Sequence, residues 1–269
     1  MKDLKQQYGP WAVVTGASDG IGCAFAEQLA TAGLALVLVA RRGPELDALA
    51  TALCERHGTE AIIVPADLGT AAGRAAVTRA TVDLDVGLLV AAAGFGTSGP
   101  LLRGGLDAER AMLAVNCQAV LEQSHEFGAR FAARGRGGLV LLSSIVAFQG
   151  VPRAAHYAAT KAYVQTLAEG LGRELAPLGV DVLACAPGPV TSGFAERADM
   201  ELGPTVSPEA VARGALTALG HRATVFPGAR SKLLVGALRT LPRAARVRVM
   251  KRVMGGMTQH QEQRVHVPG

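Results

Sequence analysis

Aromatic residues are scarce in this chain of 269 residues, which contains one Trp, three Tyr and seven Phe. Its core must therefore be packed by small aliphatic side chains, which suit close layers of helix on sheet. Hydrophobic residues nevertheless make up 49% of the chain, and charged residues only 18%. This balance excludes an intrinsically disordered protein and predicts a large buried core.

Cysteine is also rare. The four cysteines lie far apart and form neither a C-x-x-C pair nor another metal-ligand spacing; they are Cys23, Cys54, Cys117 and Cys185. The sequence therefore argues against a disulfide scaffold and predicts no metal site. It favours the reduced, mostly buried thiols of a cytoplasmic protein.

Long apolar runs are missing. None approaches the roughly 18 residues needed to cross a bilayer, and the opening residues "MKDLKQQYGP" lack the apolar stretch of a signal peptide. Acidic residues are missing from residues 222–254, which contain nine Arg or Lys. The net charge of +5 is therefore concentrated in the C-terminal part of the chain.

Short apolar runs alternate with longer helical patterns. The runs are nearly continuous in apolar residues, as in strands buried on both faces of a parallel sheet; they cover 11–16, 34–40, 60–66, 86–92, 138–144, 180–187 and 223–227. Helices are predicted at 20–32, 44–57, 70–82, 107–134 and 154–177, and another begins near Ser207. The pattern predicts an α/β fold, a doubly wound parallel sheet of about seven strands. We expect residues 1–228 to form one domain and residues 229–269 a basic helical extension.

A glycine-rich segment, "TGASDGIG", follows the first predicted strand and opens a helix. Gly16, Gly20 and Gly22 would let the main chain approach a pyrophosphate, whose charge is favoured at a helix N-terminus. The spacing is G-x-x-x-G-x-G, so a simple tight turn is the alternative. Its position after the first strand of a βαβ chain favours a dinucleotide site, and we include Ser18, Asp19 and Ile21 in it.

The second predicted strand ends with Ala40, Arg41 and Arg42, where NAD-selective sites carry an acidic residue. Guanidinium groups match a 2′-phosphate through paired hydrogen bonds. The sequence therefore predicts NADP(H) as cofactor, unless these arginines merely solvate the end of the strand. Asp67, which closes the third strand, is a weaker candidate for the adenine contact.

Tyr157 and Lys161 lie four positions apart in "HYAATKAY". On a helix, residues i and i+4 are neighbours, so the phenol and the ammonium would share one face, whereas Tyr163 would point away from Lys161. An ordinary helix start with a surface lysine is the alternative interpretation of these residues alone.

Together, these motifs resemble the short-chain dehydrogenase/reductase family over roughly residues 10–228. The matching segments are "TGASDGIG", "ADL" at Asp67, "AVN" at Asn116, "LLSS" ending at Ser144, "YAATK" and "PGPVTS". The resemblance implies that Tyr157 is the general acid and base, that Lys161 lowers its pKa and holds the nicotinamide ribose, and that Ser144 binds the carbonyl oxygen. Asn116 would anchor a water beside Lys161. Ser143 competes with Ser144, and the thirteen-residue spacing to Tyr157 favours Ser144.

The resemblance also adds residues to the expected cofactor site. At one place, the chain departs from the usual sequence of the family. The added residues are Leu68, Ala93, Gly94, Tyr157, Lys161, Pro187, Gly188, Val190 and Ser192, with Thr191 as the alternative to Ser192. The family usually has Asn-Asn-Ala-Gly after the fourth strand, whereas this chain has Ala91-Ala92-Ala93-Gly94. We expect altered cofactor contacts there, while the catalytic groups are untouched.

The function expected from these residues is NADP(H)-dependent interconversion of a ketone and a secondary alcohol, on a hydrophobic carbonyl compound. The loop 192–207 would cover the substrate; other expected lining residues are Phe95, Val146, Phe148, Gln149, Phe194, Met200 and Leu202. A catalytically silent cofactor-binding regulator is the rival from another class. A sugar-nucleotide epimerase is disfavoured by the short C-terminal region.

The basic tail shows an apolar stripe at helical spacing, with a break expected at Pro242 and a second helix through Val247, Met250 and Met254. The stripe consists of Leu233, Leu234, Ala237, Leu238 and Leu241. It could pack on the domain beside the substrate loop or on a second subunit, or it could hold a lipid-surface-associated reductase on an anionic membrane. Nucleic acid is disfavoured because no aromatic residue accompanies the basic ones. By resemblance, the helices 107–134 and 154–177 should join a homodimer or homotetramer.

Overall fold

A computed structural model describes residues 4–261, and within them one parallel sheet of seven strands forms the centre of the fold. The strand order is β3-β2-β1-β4-β5-β6-β7. The strands are β1 (Trp11–Thr15), β2 (Ala35–Ala40), β3 (Ala61–Pro65), β4 (Val86–Ala91), β5 (Gly137–Leu142), β6 (Val180–Cys185) and β7 (Thr224–Val225). The predicted doubly wound parallel sheet is therefore confirmed.

Helices cover both faces of this sheet. They are α1 (Leu4–Tyr8), α2 (Gly20–Thr31), α3 (Gly43–His57), α4 (Ala71–Thr81), α5 (Leu106–Leu113), α6 (Ala119–Arg134), α7 (Ala155–Leu175), α8 (Phe194–Arg197), α9 (Pro208–Ala218), α10 (Ala229–Arg239) and α11 (Arg243–Met257). A π-helical turn, Ala114–Gln118, joins α5 to α6 in one long helix. No helix among the described residues is long and apolar enough to cross a membrane.

The strands are buried because successive side chains enter opposite layers. In β1, Val14 packs in the layer that contains Phe25, while Val13 packs in the layer that contains Phe127 and Phe131. Every residue of β4 and β5 is buried. This two-sided burial explains why the strand sequences are continuously apolar rather than alternating.

The strand order reverses between β1 and β4, which are neighbours in the sheet. Open α/β sheets bind ligands at such a reversal, beyond the carboxyl ends of the strands. The two strand ends are joined there by the Thr15 hydroxyl, which accepts a hydrogen bond from the Ala93 main-chain N–H at 3.0 Å. This bond anchors the alanine segment that stands in place of the expected Asn pair.

Two short helices, α1 and α8, were not predicted. Tyr8 of α1 is 1% exposed, and its hydroxyl donates to Asp181 Oδ2 at 2.7 Å. Burial and this carboxylate raise the pKa of the Tyr8 phenol. A helix of five residues carries too little periodicity to be recognised from the sequence. The position of α1 is fixed by the contact of Tyr8 with Asp181 of β6.

The C-terminal helices α10 and α11 lie on either side of Pro242 and pack against the domain. Leu238, Met250 and Met254 form one apolar cluster with Val151 and Ala158. The predicted stripe on α10 is partly wrong, since Leu233 is 75% exposed and Ala237 is also exposed, whereas Val235 and Leu238 are buried.

The packed side of α10 is set by the surface beneath it, which a helical repeat alone does not define.

The division of the chain at residue 228 stays a prediction. Residues 262–269 of the predicted extension, like residues 1–3, lie outside the described part of the chain.

Candidate active site

Tyr157 and Lys161 occupy the first turns of α7 and lie on one face of that helix, as the spacing predicted. Lys161 Nζ is 5.8 Å from the centroid of the Tyr157 ring. The ammonium also donates to the Leu142 carbonyl at the end of β5, at 2.7 Å. The lysine is 7% exposed, so it is a buried group aimed at the active site rather than a surface side chain.

The two serines after β5 have different contacts. Ser143 Oγ donates to the Lys161 carbonyl at 3.1 Å, which ties the strand end to α7. Ser144 Oγ donates to the Pro187 carbonyl at 3.4 Å and accepts from the Val146 N–H at 3.4 Å, and it lines the same cavity as Tyr157. The Ser144 hydroxyl also acts to lower the pKa of the Tyr157 phenol, which supports Ser144 as the serine beside the reacting oxygen, whereas the Ser143 hydroxyl is bonded to the main chain of α7.

Burial controls the protonation of the phenol and the ammonium. It raises the pKa of Tyr157, so the lowering expected from Lys161 is not found in the chain by itself, although Ser144 acts in that direction. Burial lowers the pKa of Lys161 to about 8. Both shifts follow from the cost of holding a charge away from water. In the chain by itself, Tyr157 is therefore protonated near neutral pH and can donate a proton.

Asn116 lies in the π-helical turn between α5 and α6 and is 1% exposed. Its amide donates to the Phe95 carbonyl at 2.9 Å and to Thr160 Oγ1 at 3.1 Å, and its oxygen accepts from the Phe95 N–H at 3.1 Å. Such turns are frequent at functional sites. Asn116 joins the loop after β4 to α7; the water that it would anchor stays a prediction.

An apolar cavity of about 200 Å³ opens beside Tyr157. Its apolar lining includes Leu142, Val146, Phe194, Met200, Leu202, Leu234, Met250, Val253, Met254 and Met257. The ring centroids of Phe194 and Tyr157 are 5.3 Å apart. Residues of the predicted substrate loop and of the C-terminal helices therefore line one cavity together with Tyr157, the expected reacting group.

Three residues expected beside the substrate do not line the cavity. Phe148 packs on Phe226, with ring centroids 5.4 Å apart, and Gln149 is buried with its amide bonded to the Ile145 carbonyl. A 3₁₀ turn, Ile145–Phe148, directs them away from the cavity. Phe95 lines the neighbouring groove instead.

That neighbouring groove, of about 190 Å³, follows the carboxyl ends of β1, β2 and β4. The predicted cofactor residues that line it are Gly16, Ser18, Asp19, Gly20, Ile21, Gly22, Arg41, Arg42, Asp67, Leu68, Ala93, Gly94 and Ser192. The others, Tyr157, Lys161, Pro187, Gly188 and Val190, line the substrate cavity. Ile21, Gly94 and Ser192 line both spaces, which are therefore contiguous.

The glycine loop fits the pyrophosphate of a dinucleotide. Gly16 has φ 68°, and a Cβ there would lie 2.9 Å from the main chain of Ala93. A Cβ on Gly22 would lie 2.2 Å from the Gly16 carbonyl oxygen. Only glycine permits this close approach of main chain to main chain, which leaves the start of α2 open to an anion.

The two arginines after β2 are exposed but differ in their partners. Arg42 donates to the Ser18 hydroxyl at 3.2 Å and pairs with Glu45 at 3.2 Å. Arg41 has no hydrogen bond or ion pair within residues 4–261. Asp67 is exposed, and its carboxylate accepts from the Gly69 N–H. Arg41 could therefore contact a 2′-phosphate without giving up a protein partner.

After β6, the contacts favour Ser192 over Thr191 as the residue beside the cofactor groove. The Thr191 hydroxyl is bonded to Thr205 Oγ1, whereas Ser192 lines both spaces. Ser192 also lies against Gly20, where an added Cβ would be 2.8 Å from the Ser192 Cβ. The segment that follows β6 therefore contacts the glycine loop.

A family model described as short chain dehydrogenase matches residues 10–202. That range contains the glycine loop and all four predicted catalytic residues. The chain is a short-chain dehydrogenase. This family consists of oxidoreductases that use nicotinamide cofactors, and the predicted family membership is confirmed.

Relatives of this short-chain dehydrogenase include proteins named for hydroxysteroids. The chain is 30% identical over 86% of its length to a 7beta-hydroxysteroid dehydrogenase of Collinsella aerofaciens, of which it covers 90%. It is 33% identical over 69% of its length to the inactive hydroxysteroid dehydrogenase-like protein 1 of Homo sapiens, of which it covers 57%.

Solved structures resemble this short-chain dehydrogenase over most of its length. A structure from work on 7beta-hydroxysteroid dehydrogenase stereoselectivity has a TM-score of 0.85 and 28% identity, covering 92% of this chain and 98% of that one. A short-chain dehydrogenase from Sphingobium yanoikuyae in complex with NADPH has a TM-score of 0.77 and 32% identity, covering 86% and 94%.

Sequence reasoning missed two contributors to the sites of this short-chain dehydrogenase. Arg197 of α8 lines the cofactor groove, and Met257 at the end of α11 lines the substrate cavity. The Met257 carbonyl accepts from the Glu201 N–H at 2.9 Å, which ties α11 to the substrate loop. No motif signals either residue, because α8 and the end of α11 reach these sites only through the packing of the folded chain.

Proposed function

We propose that this short-chain dehydrogenase is an NADP(H)-dependent oxidoreductase that interconverts a ketone and a secondary alcohol on a hydrophobic carbonyl compound. The observation that carries the proposal is the Ser144–Tyr157–Lys161 set at the wall of an apolar cavity that is contiguous with the cofactor groove. Hydride transfer and proton transfer need these two spaces to meet at one carbon–oxygen bond.

A bound nicotinamide cofactor supplies or accepts the hydride at the carbonyl carbon. During reduction, Tyr157 donates its proton to the carbonyl oxygen; during oxidation, its phenolate accepts the proton of the alcohol. Ser144 donates a hydrogen bond to the same oxygen and stabilises its developing charge. Lys161, held by the Leu142 carbonyl, favours the phenolate by its positive charge.

The choice of NADP(H) is supported by Arg41, which is exposed at the groove without a protein partner among the described residues. A structural relative is described as a complex with NADPH. We expect NADPH to bind at least about tenfold more tightly than NADH, which takes about 1.4 kcal/mol. Calorimetric titration with both cofactors measures this ratio, and equal affinities would contradict the assignment.

The substrate class is supported by the cavity lining, which is apolar and rich in methionine. Methionine adapts its shape to large apolar ligands. A 7beta-hydroxysteroid dehydrogenase and a bulky-bulky ketone specific alcohol dehydrogenase from Comamonas testosteroni, with a TM-score of 0.73 and 31% identity, are among the similar proteins. We therefore propose a bulky apolar ketone, such as a steroid-like ring system or a long acyl chain.

The test is a panel of bulky and small ketones, assayed by NADPH consumption in the wild type and in Tyr157→Phe. We expect turnover with at least one bulky ketone and a loss of roughly 10³-fold in kcat for the variant, because its proton donor is gone. NADPH binding should stay largely intact. Tyr163→Phe, on the same helix but 37% exposed, is the matched control. Activity that survives in Tyr157→Phe would refute the assignment of the acid.

A catalytically silent cofactor-binding regulator is the second candidate, favoured by the similarity to a relative described as inactive. The ketone panel separates the two, because a regulator would bind NADPH and reduce none of the compounds. Tyr157 and Ser144 at the wall of the substrate cavity favour the enzyme, since cofactor binding alone requires no proton donor there.

We also propose a cytoplasmic homodimer or homotetramer. Its support is the exposure of large apolar side chains on the long helices, which include Leu106, Leu113 and Leu121 on α5 and α6 and Tyr163 on α7. Large exposed apolar groups on one surface favour association. Analytical ultracentrifugation of the wild type and of Leu121→Glu tests it, since a charge there should shift the assembly toward monomer.

A further inference from the structure

An ion pair joins the glycine loop to the substrate loop across the cofactor groove. Arg197 Nη1 of α8 lies 3.1 Å from Asp19 Oδ2, just before α2. Both residues line the groove. Gly193 is packed against the pair, because a Cβ there would lie 2.8 Å from the Asp19 carboxylate and 2.9 Å from the guanidinium. The pair therefore spans the space where a cofactor must enter.

Asp19 has an unusual orientation for its position. It is the residue before the first turn of α2, yet its side chain makes no capping hydrogen bond to that turn. The first N–H groups of α2 are therefore left for another acceptor, and a helix N-terminus flanked by Gly20 and Gly22 favours a phosphate. The Arg197 guanidinium, bonded to Asp19, stands beside the same position.

The exposure of the ion pair between Arg197 and Asp19 determines how well another anion can compete for Arg197. The Arg197 and Asp19 side chains are 45% and 34% exposed, and exposed ion pairs are weak. Hydrogen bonds between a guanidinium and phosphate oxygens are charge-assisted and frequently bidentate. A pyrophosphate at the start of α2 would therefore compete well for Arg197, and its charge would repel the Asp19 carboxylate.

On this basis we propose that Arg197 is a cofactor-binding residue that exchanges Asp19 for the pyrophosphate of the dinucleotide. Asp19 holds the substrate loop over the groove before the cofactor binds, and the pyrophosphate takes over that hold afterwards. This inference rests on the proposed NADP(H)-dependent function. It links the two binding sites, because Phe194 on the same short helix contacts Tyr157.

The test measures NADPH dissociation constants and dissociation rates for the wild type, Arg197→Gln and Asp19→Asn. We expect Arg197→Gln to weaken binding about tenfold, mainly through faster dissociation, because a charge-assisted contact is lost. Asp19→Asn should tighten binding by about threefold, because a competing and repelling anion is removed. Arg110→Gln is the matched control, since Arg110 forms an exposed pair with Asp107 at 3.1 Å on α5.

A fragment separates the pyrophosphate contact from a general change in charge. Adenosine 2′-monophosphate carries the 2′-phosphate without the pyrophosphate, so its affinity should be unchanged by Arg197→Gln. An unchanged NADPH affinity in Arg197→Gln would overturn the inference, and so would an equal weakening by Asp19→Asn. A wild type that binds no NADPH would overturn the proposed function as well. Tight binding by the wild type that Arg197→Gln leaves unchanged would overturn this inference alone.

Discussion

The cofactor groove and the substrate cavity are contiguous, yet they are built in different ways. The groove is formed largely by main chain at the ends of β1, β2 and β4, with glycines where side chains would intrude. The cavity is formed by side chains from separate segments, including α10 and α11. A dinucleotide site thus depends on local motifs, whereas a substrate site depends on how distant elements pack.

Among the effects on binding at the two sites, the largest that we expect is the pH dependence of cofactor affinity, which concerns the boundary between them. The pKa of Lys161 is about 8 in the cofactor-free chain because the ammonium is buried. If the ammonium binds the nicotinamide ribose, the bound state has a higher pKa and takes up a proton above pH 8. NADPH affinity should then fall up to about 30-fold between pH 7 and 9.5.

Fluorescence titration of NADPH across this range measures the change. Lys161→Gln should bind more weakly at pH 7 and show a flatter profile, because the group that titrates is missing. A wild-type affinity that is constant from pH 7 to 9.5 would contradict the contact between Lys161 and the cofactor.

Replacing Arg41 should change the groove and leave the cavity as it is. We expect Arg41→Ala to reduce the preference for NADPH over NADH by about tenfold, since a guanidinium contact with the 2′-phosphate is lost. Arg42→Ala should reduce it less, because Arg42 is already bonded to Ser18 and Glu45. Calorimetry with both cofactors measures the two ratios, and a larger effect of Arg42 would reverse the assignment.

Replacing Met257 should do the opposite and change only the cavity. Met257→Ala removes part of the apolar lining, and we expect KM for a bulky ketone to rise about fivefold, or about 1 kcal/mol. NADPH affinity should not change. Leu233→Ala, on the exposed side of α10, is the control and should leave both constants unaltered. A loss of NADPH binding in Met257→Ala would show that the two sites are not separable in this way.

The smallest effect is expected at a membrane. The basic tail could have held the enzyme on anionic lipid through its apolar face, but Leu238, Met250 and Met254 are buried against the domain. We therefore expect the protein to stay in the supernatant with anionic vesicles at physiological ionic strength. Co-sedimentation that persists there and is lost in Leu233→Ala would restore the membrane hypothesis.

Much of the groove could be predicted because its signals are local. The glycine loop and Arg41 each lie at one strand end, Tyr157 and Lys161 lie on one face of α7, and Ser144 is thirteen residues before Tyr157 at the end of β5. The sequence could not place Arg197 or Phe148, because the short helix α8 and a 3₁₀ turn direct those side chains. It also misassigned the packed side of α10, since a helical repeat does not say which face meets another surface.

By itself, then, the sequence determined the doubly wound sheet, the family, and the residues expected to carry the chemistry. Periodicity and motif spacing encode these, because each depends on neighbours within a few positions. Only the tertiary structure decided that α11 closes the substrate cavity and that Asp19 meets Arg197 across the groove. Residues 178 positions apart acquire a contact through the packing of the whole chain, and no local pattern records it.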